Sequence, residues 1–357
     1  MSARRALTLL PERQAELETC AYCPKLCRAT CPVGTAEARE TVTPWGKMGG
    51  TYAVAAELTP ATPQYAALAW ACTGCFACEE GCNHRNPVSD TLLEARAEYV
   101  QRGLAPAASE RVRTGNPGRR ARIQEKTDRL NAQFGLDARA PTALLLGCVY
   151  TDRLPAESED ALRAARALFG PIRLLSGCCG VPLEAAGDRA GAALLRSELL
   201  RQMGSVRRTV VVDSGCAYAL RDTGAEPLVS AAEAALAARA WQAPLGDEAL
   251  RYHDSCKLGR GLGEYDAPRA LLGRASTRGA LEFSYHRERA HCSGGGGLLP
   301  VTEPNTAAAI ADARVAEHER LGGGTIVSAC AQSVRVLRRA GARVLDMTTL
   351  LRQLTER

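Results

Sequence analysis

No stretch of this 357-residue sequence approaches the roughly 18 consecutive apolar residues that a membrane-spanning helix requires. Direct membrane insertion is therefore not expected, and any link to a membrane would run through a partner. The opening residues, MSARRALTLLPERQ, likewise hold no apolar run of the length a secretory leader needs. A cytoplasmic chain, at most peripheral to a membrane through that partner, is the expectation. Lysine is scarce: Lys25, Lys47, Lys126 and Lys257 are the only four, so the net charge of +6 comes almost wholly from arginine. Arginine spread in this way supports nucleic-acid binding only weakly, and no nucleic-acid partner is expected. The densest basic run, residues 111–129 with Arg119, Arg120 and Arg122, reads as a solvated linker. A glycine run from 294 to 297 lacks the Gly-Lys-Ser/Thr ending of a phosphate loop and the full dinucleotide fingerprint, which argues against nucleotide binding. No flavin or nicotinamide site is apparent, so the chain alone should not perform hydride chemistry on an organic substrate.

What the sequence has in quantity is cysteine, 15 residues in a chain that is otherwise of ordinary globular composition, with 46% hydrophobic residues. In a long chain without a leader, so many cysteines point to metal ligation under reducing conditions more than to a disulfide framework. They divide into a dense group before residue 83 and a sparse group after residue 147, with a cysteine-free segment between that reads as polar, helical or loop-like.

The dense group contains two runs. The first, CAYCPKLCRATCP, carries Cys20, Cys23, Cys27 and Cys31 followed by Pro32; the second, CTGCFACEEGC, carries Cys72, Cys75, Cys78 and Cys82. Cysteines at every third or fourth position of a tight loop turn three thiolates toward the corners of one 4Fe-4S cube, while a more distant fourth closes it. In two-cluster proteins that fourth cysteine commonly serves the other cluster. The expected sets are thus Cys20, Cys23, Cys27 and Cys82 for one cube, and Cys72, Cys75, Cys78 and Cys31 for the other. A pair of four-cysteine zinc sites is the competing reading, although zinc usually takes two separated pairs and not triplets with a trailing cysteine. Disulfides between cysteines this close would be strained. Asn83 stands where a proline usually follows the last cysteine. Helical patterns at 64–71 and 91–101 flank the second run and favour a helical ferredoxin-type domain.

The sparse group follows a different rule. Strand-like apolar runs at 143–147, 172–177, 210–215, 250–255, 282–291 and 325–329 each lead into or toward a cysteine, and helical stretches at 158–168, 190–203, 231–240 and 306–321 lie between. Cys148 and Cys256 are 108 residues apart, Cys179 and Cys292 are 113, and Cys216 and Cys330 are 114, the signature of a tandem duplication. Alternating strands and helices favour parallel sheets whose C-terminal strand ends carry the ligand loops. The fold expected is an α-helical ferredoxin-type domain (1–105), a basic linker (106–140) and two tandem α/β, Rossmann-like cysteine-rich repeats (141–246 and 247–357). The glycine run would let backbone amides approach sulfur closely. His84 could stand behind the ligands, whereas His286 and His318 read as surface residues.

Two cubane runs followed by GCVY at Cys148, SGCCGVP at Cys178 and Cys179, DSGCAYAL at Cys216, HDSCKLGR at Cys256, HCSGGGG at Cys292 and SACAQS at Cys330 resemble the fused small subunits of heterodisulfide reductase. The iron-sulfur subunits of glycolate oxidase, lactate utilisation and anaerobic glycerol-3-phosphate dehydrogenase systems share the arrangement. The resemblance implies a noncubane iron-sulfur cluster in the first repeat on Cys148, Cys178, Cys179 and Cys216, although Ala219 stands where the family closes its final pair. In the second repeat, His291 and Ser333 replace cysteines and leave Cys256, Cys292 and Cys330. With His253 or His291 these suit zinc equally well, or an empty relic of a site. It also implies an electron-transfer subunit that relays electrons from a flavoprotein dehydrogenase to a quinone or another carrier. A thiol-disulfide reductase acting at the first repeat is the alternative, against which Ala219 and Ser333 weigh; a structural zinc protein is the third reading.

Overall fold

The computed structural model describes residues 6–239 and 244–356. Residue 240, the last of one expected helix, lies outside them. The chain forms two compact units: one made of the residues up to Gly115 with Pro182–Gly191 and His291–Arg314, the other of Asn116–Val181, Ala192–Ala290 and the residues from Val315 onward.

The first unit is helical. Its helices Pro32–Glu37, Pro44–Ala55 and Pro63–Trp70 each begin on a proline, whose fixed φ suits the first turn and whose missing N–H costs nothing there. Thr43 and Thr62 cap the latter two by accepting the backbone N–H groups of Gly46 and Tyr65. With Gln14–Ala21 and Val88–Gln101 they enclose a core of Leu17, Met48, Val54, Trp70, Leu92 and Tyr99. The helical ferredoxin-type expectation agrees with this.

The second unit holds two four-stranded sheets, every pairing parallel. In the first, β1 (Thr142–Leu145), β2 (Ile172–Leu174), β3 (Arg208–Val211) and β4 (Glu226–Pro227) lie in the order β2-β1-β3-β4; in the second, β5 (Leu250–Tyr252), β6 (Ala280–Leu281), β7 (Thr325–Ser328) and β8 (Val344–Asp346) lie in the order β6-β5-β7-β8. Identical order in successive sheets is what a tandem duplication produces. β1 and β7 are buried along their whole length, as a parallel strand covered on both faces should be. The repeats meet through Tyr150, whose hydroxyl donates to Asp346 Oδ2 at 2.8 Å, and through Thr349 Oγ1, which donates to Asp160 Oδ2 at 2.6 Å.

Three local expectations differ from the structure. The segment read as a solvated linker is helical over Ala107–Thr114 and Asn116–Phe134, which its polar, helical or loop-like character allowed; the difference lies in its solvation. Its basic residues have partners: Arg120 pairs with Glu198 at 2.7 Å and Lys126 with Asp152 at 2.8 Å. The strand expected over 282–291 is only β6, upstream of it. Glu282 is taken by Arg269 at 2.6 Å, and Arg287, at φ 53°, breaks any extended run. His318 is not a surface residue but 1% exposed, its Nε2 3.3 Å from the Gly324 carbonyl and its ring against Phe283. Among the described residues no helix is long and apolar enough to cross a membrane.

Candidate metal centres

The two N-terminal runs are shaped by their flanking helices. Cys20 ends the helix Gln14–Ala21, and Cys31 caps Pro32–Glu37, its sulfur accepting the Gly34 N–H at 3.4 Å. Cys72 and Cys75 lie on the loop that leaves Pro63–Trp70. Phe76, at φ 63°, then reverses the chain into the short helix Ala77–Glu80, which carries Cys78.

These turns gather the sulfurs into two groups. Cys20, Cys23, Cys27 and Cys82 line an open cavity of about 700 Å³ together with Trp45 and Asn86, whereas Cys31, Cys72, Cys75 and Cys78 line another of about 340 Å³ together with Lys47. Cys78 and Val88 border both, so the cavities adjoin. Four soft donors around each cavity, with N–H groups aimed at sulfur, are the chemistry an iron-sulfur cube requires. Burial pushes the Cys20 thiol up to about 12, despite the Asn86 Nδ2 donor at 2.9 Å, and raises Cys31 and Cys78 as well. Metal binding to such thiols releases their protons.

Asn86, Lys47 and Arg96 are residues the motifs did not reveal. Lys47 is 2% exposed, and its Nζ lies 3.5 Å from Cys31 Sγ. Burial alone would lower its pKa, but Cys31, Cys72 and Cys78 raise it above the ordinary value. One sequence signal was present: Lys47 is one of only four lysines and stands alone in the apolar, glycine-rich helix Pro44–Ala55. Arg96 is also 2% exposed and donates to four carbonyls: Ala69 at 3.0 Å, Cys72 at 3.0 Å, Ala185 at 2.8 Å and Gly297 at 2.9 Å. Burial pulls its guanidinium down to about 10, against the opposing pull of Cys72.

The glycine run serves two contacts. Gly294 N–H points at Cys292 Sγ at 3.4 Å, as expected of a glycine beside sulfur. Gly296 and Gly297 instead lie flat on the second cysteine run, where a Cβ would collide with the carbonyl oxygens of Thr73 and Cys72.

At the first repeat, the loops after β1, β2 and β3 bring Cys148, Cys178, Cys179 and Cys216 together. Cys179 and Cys216 sulfurs are 3.0 Å apart, and hydrogen bonds link Cys148 to Cys178 and Cys178 to Cys179. Gly147, at φ 91°, permits this approach: a Cβ there would sit 3.2 Å from Cys216 Sγ. Asp213 caps the helix Ser214–Ala219 through the N–H groups of Gly215 and Cys216. Arg119, from the basic helix, donates to Cys148 Sγ. The crowded thiols divide in consequence: hydrogen bonds from Cys148 and Cys179, the Gly180 N–H and Arg119 hold Cys178 well below the thiol range, while its bond to Cys178, then burial, raises Cys148.

The second repeat supplies Cys256, Cys292 and Cys330 from three segments. Cys256 follows β5, and Cys330 caps the helix Ala331–Arg339. Burial pushes the Cys330 thiol up to about 11, with Asp213 and Cys256 adding to it. Ser333 hydrogen-bonds Cys330. Cys292 is buried, belongs to the first compact unit, and follows an exposed His291. His253 is buried, its ring edge-on to Phe283 at 6.2 Å. Among the described residues, no group of three or more His, Cys, Asp or Glu side chains is arranged as a single metal ion would require.

Residues 16–86 match the 4Fe-4S dicluster domain, and residues 142–221 and 250–333 each match the CCG cysteine-rich domain. One of the subunits of the dihydromethanophenazine:CoB–CoM heterodisulfide reductase of Methanosarcina mazei is 24% identical across 88% of this chain and 87% of its own length. A "probable membrane-anchored ferredoxin" of Chromohalobacter salexigens is 27% identical across 75% of the chain, which spans 44% of that protein. One of the subunits of the fumarate reductase (CoM/CoB) of Methanothermobacter marburgensis is 24% identical across 73% of the chain and 55% of its own length.

Proposed function

We propose that this chain, an iron-sulfur protein of the heterodisulfide reductase-like type, is an electron-transfer subunit that accepts electrons from a flavoprotein dehydrogenase and passes them toward a quinone or another carrier. The observation that carries the reading is the division of eight N-terminal cysteines into two adjoining groups of four. Cys20, Cys23, Cys27 and Cys82 would hold one 4Fe-4S cluster, and Cys31, Cys72, Cys75 and Cys78 the other. Such clusters, when bound, supply one-electron transfer without bond chemistry on a substrate. The protein's part is to exclude water, fix the distance between the sites and set the charge around each. Cys148, Cys178, Cys179 and Cys216 would hold a further, noncubane cluster, and the second repeat would hold zinc or no metal.

Anaerobic purification of the full chain is the test: about eight or more iron atoms per chain and a cubane electron paramagnetic resonance spectrum are expected. A colourless, folded chain that stays so after iron and sulfide reconstitution would overturn the reading. Copurification of a flavoprotein with the untagged chain tests the partner.

The convergence of four sulfurs and Arg119 at the first repeat favours a second reading, disulfide reduction at that site. A disulfide there would accept two electrons, delivered singly, and two protons, to leave as two thiols. Oxidation of pre-reduced clusters on adding a disulfide would support it; indifference to disulfides would exclude it.

A further inference from the structure

We propose that two buried cations, Lys47 and Arg96, hold the site of Cys31, Cys72, Cys75 and Cys78 at a higher reduction potential than the site of Cys20, Cys23, Cys27 and Cys82. Electrons then enter at the site of Cys20, Cys23, Cys27 and Cys82 and leave through that of Cys31, Cys72, Cys75 and Cys78. The inference rests on the two-cluster reading above and adds a direction to it.

The protein leaves two buried charges without a carboxylate to balance them among the described residues. A buried cation is costly unless an anion compensates it. Among the described residues Lys47 has no carboxylate partner; its contacts are sulfurs, with Nζ 3.5 Å from Cys31 Sγ. Arg96 satisfies its N–H groups on four carbonyls, which are dipoles without net charge, and one of these belongs to Cys72. The anion that balances both is the cysteine-held cluster itself. Reduction adds one negative charge to such a centre, and fixed cations shielded from water favour that addition strongly.

Among the described residues the other site has no such arrangement. Its sulfurs take hydrogen bonds from the Asn86 side chain and the Trp45 backbone N–H, both neutral. Among the described residues, half-buried Lys25 sets its charge over the Trp45 ring at 4.1 Å, and Arg85 pairs with Glu80 at 2.7 Å with its side chain 66% exposed, where solvent screens it. Residues flanking these cysteines, Tyr22, Pro24, Asn83 and His84, are exposed, and Tyr22 is 77% so. Those flanking the other group, Val33, Ala71, Thr73 and Phe76, are buried. Water at the Cys20 site also favours added charge, but as mobile dipoles, whereas Lys47 and Arg96 bring two net charges already in place. The transfer itself moves one electron from the Cys20 site to the Cys31 site, with no proton and no bond change; the reductant is the reduced flavin of the partner.

The test is a redox titration of the anaerobically purified full chain, followed by electron paramagnetic resonance. Two distinct midpoint potentials are expected. Lys47→Met should lower the upper one and leave the lower unmoved, and Lys47→Arg should restore it, which a merely structural role for the side chain would not do. If Lys47→Met moves neither potential, or moves the lower, the inference is overturned. Should that variant fail to fold, the unsubstituted chain decides. A soluble dysprosium chelate relaxes an exposed cluster and spares a covered one, so the first signal to appear on reduction should be insensitive to it. A first signal that the chelate relaxes would overturn the proposed order while leaving the two-cluster reading intact. Absence of any cubane signal sinks that reading, and this inference with it.

Discussion

The two cysteine-rich repeats share one sheet order and differ in what their strand ends carry. In the first, β1, β2 and β3 deliver four sulfurs to one place, with Gly147 clearing the space and Arg119 arriving from outside the repeat. In the second, β5 and β7 still deliver Cys256 and Cys330, but Ser333 occupies the closing position and Cys292 belongs to the other compact unit. A sheet persists as long as its strands remain apolar and β-branched, so many substitutions leave it standing. A metal site needs every ligand, so a few substitutions end it. Duplication therefore preserves architecture longer than chemistry.

The largest effect should separate the repeats outright. Cys148→Ala is expected to abolish any signal from the first repeat while leaving the cubane spectrum intact, and Cys330→Ala to change neither, as iron analysis and electron paramagnetic resonance would show. Loss of cubane signal in Cys148→Ala would mean that the repeat and the N-terminal sites are one structure.

A second test uses two glycines of the first unit. Gly187, at φ 82°, lies against the Arg96 carbonyl, and Gly297, at φ 61°, against that of Cys72. Alanine at either position should cost about 2–4 kcal/mol in chemical denaturation, since both combine a left-handed backbone with a close approach. Only Gly297→Ala should also reduce cubane iron, because only it displaces a cysteine loop. Equal iron loss in both would remove the distinction.

Smaller effects are expected where the repeats meet. Tyr150→Phe removes the hydroxyl that donates to buried Asp346 and should destabilise by about 1–2 kcal/mol. Asp346 is itself pushed up to about 6, first by burial, even though Thr348 and Tyr150 donate to it. A raised carboxyl gives stability that is present below its unfolded pKa and lost as pH rises through the folded one, here between about 4 and 6. Asp346→Asn should therefore gain on the parent chain by about 1 kcal/mol more at pH of about 7.5 than at about 5. A pH-independent difference would show that the carboxyl is not buried between the repeats.

Much of this was legible beforehand, for physical reasons that differ by region. The cysteine runs could be read because a cube constrains ligand spacing along a few residues, and spacing is a property of sequence. The parallel repeats could be read because β1, β3, β5 and β7 are short apolar runs ending at recurring cysteines. The strand expected over 282–291 was misplaced because its alternating pattern includes Arg287 and Glu288, which hydrogen bonding and φ place in a turn. Residues 111–129 looked solvated because few of their positions are apolar, whereas Arg120 and Lys126 are in fact paired.

Sequence alone determined which cysteines could form runs and how often the α/β unit recurs, because these depend on residue identity and local spacing. Tertiary structure alone decided that Lys47 faces Cys31, that Arg96 reaches four carbonyls, and that Gly296 and Gly297 lie on the second cysteine run. These residues are far apart in the chain. What brings them together is burial: a cation or a bare backbone becomes part of a metal site only when packing removes the water that would otherwise separate it from sulfur.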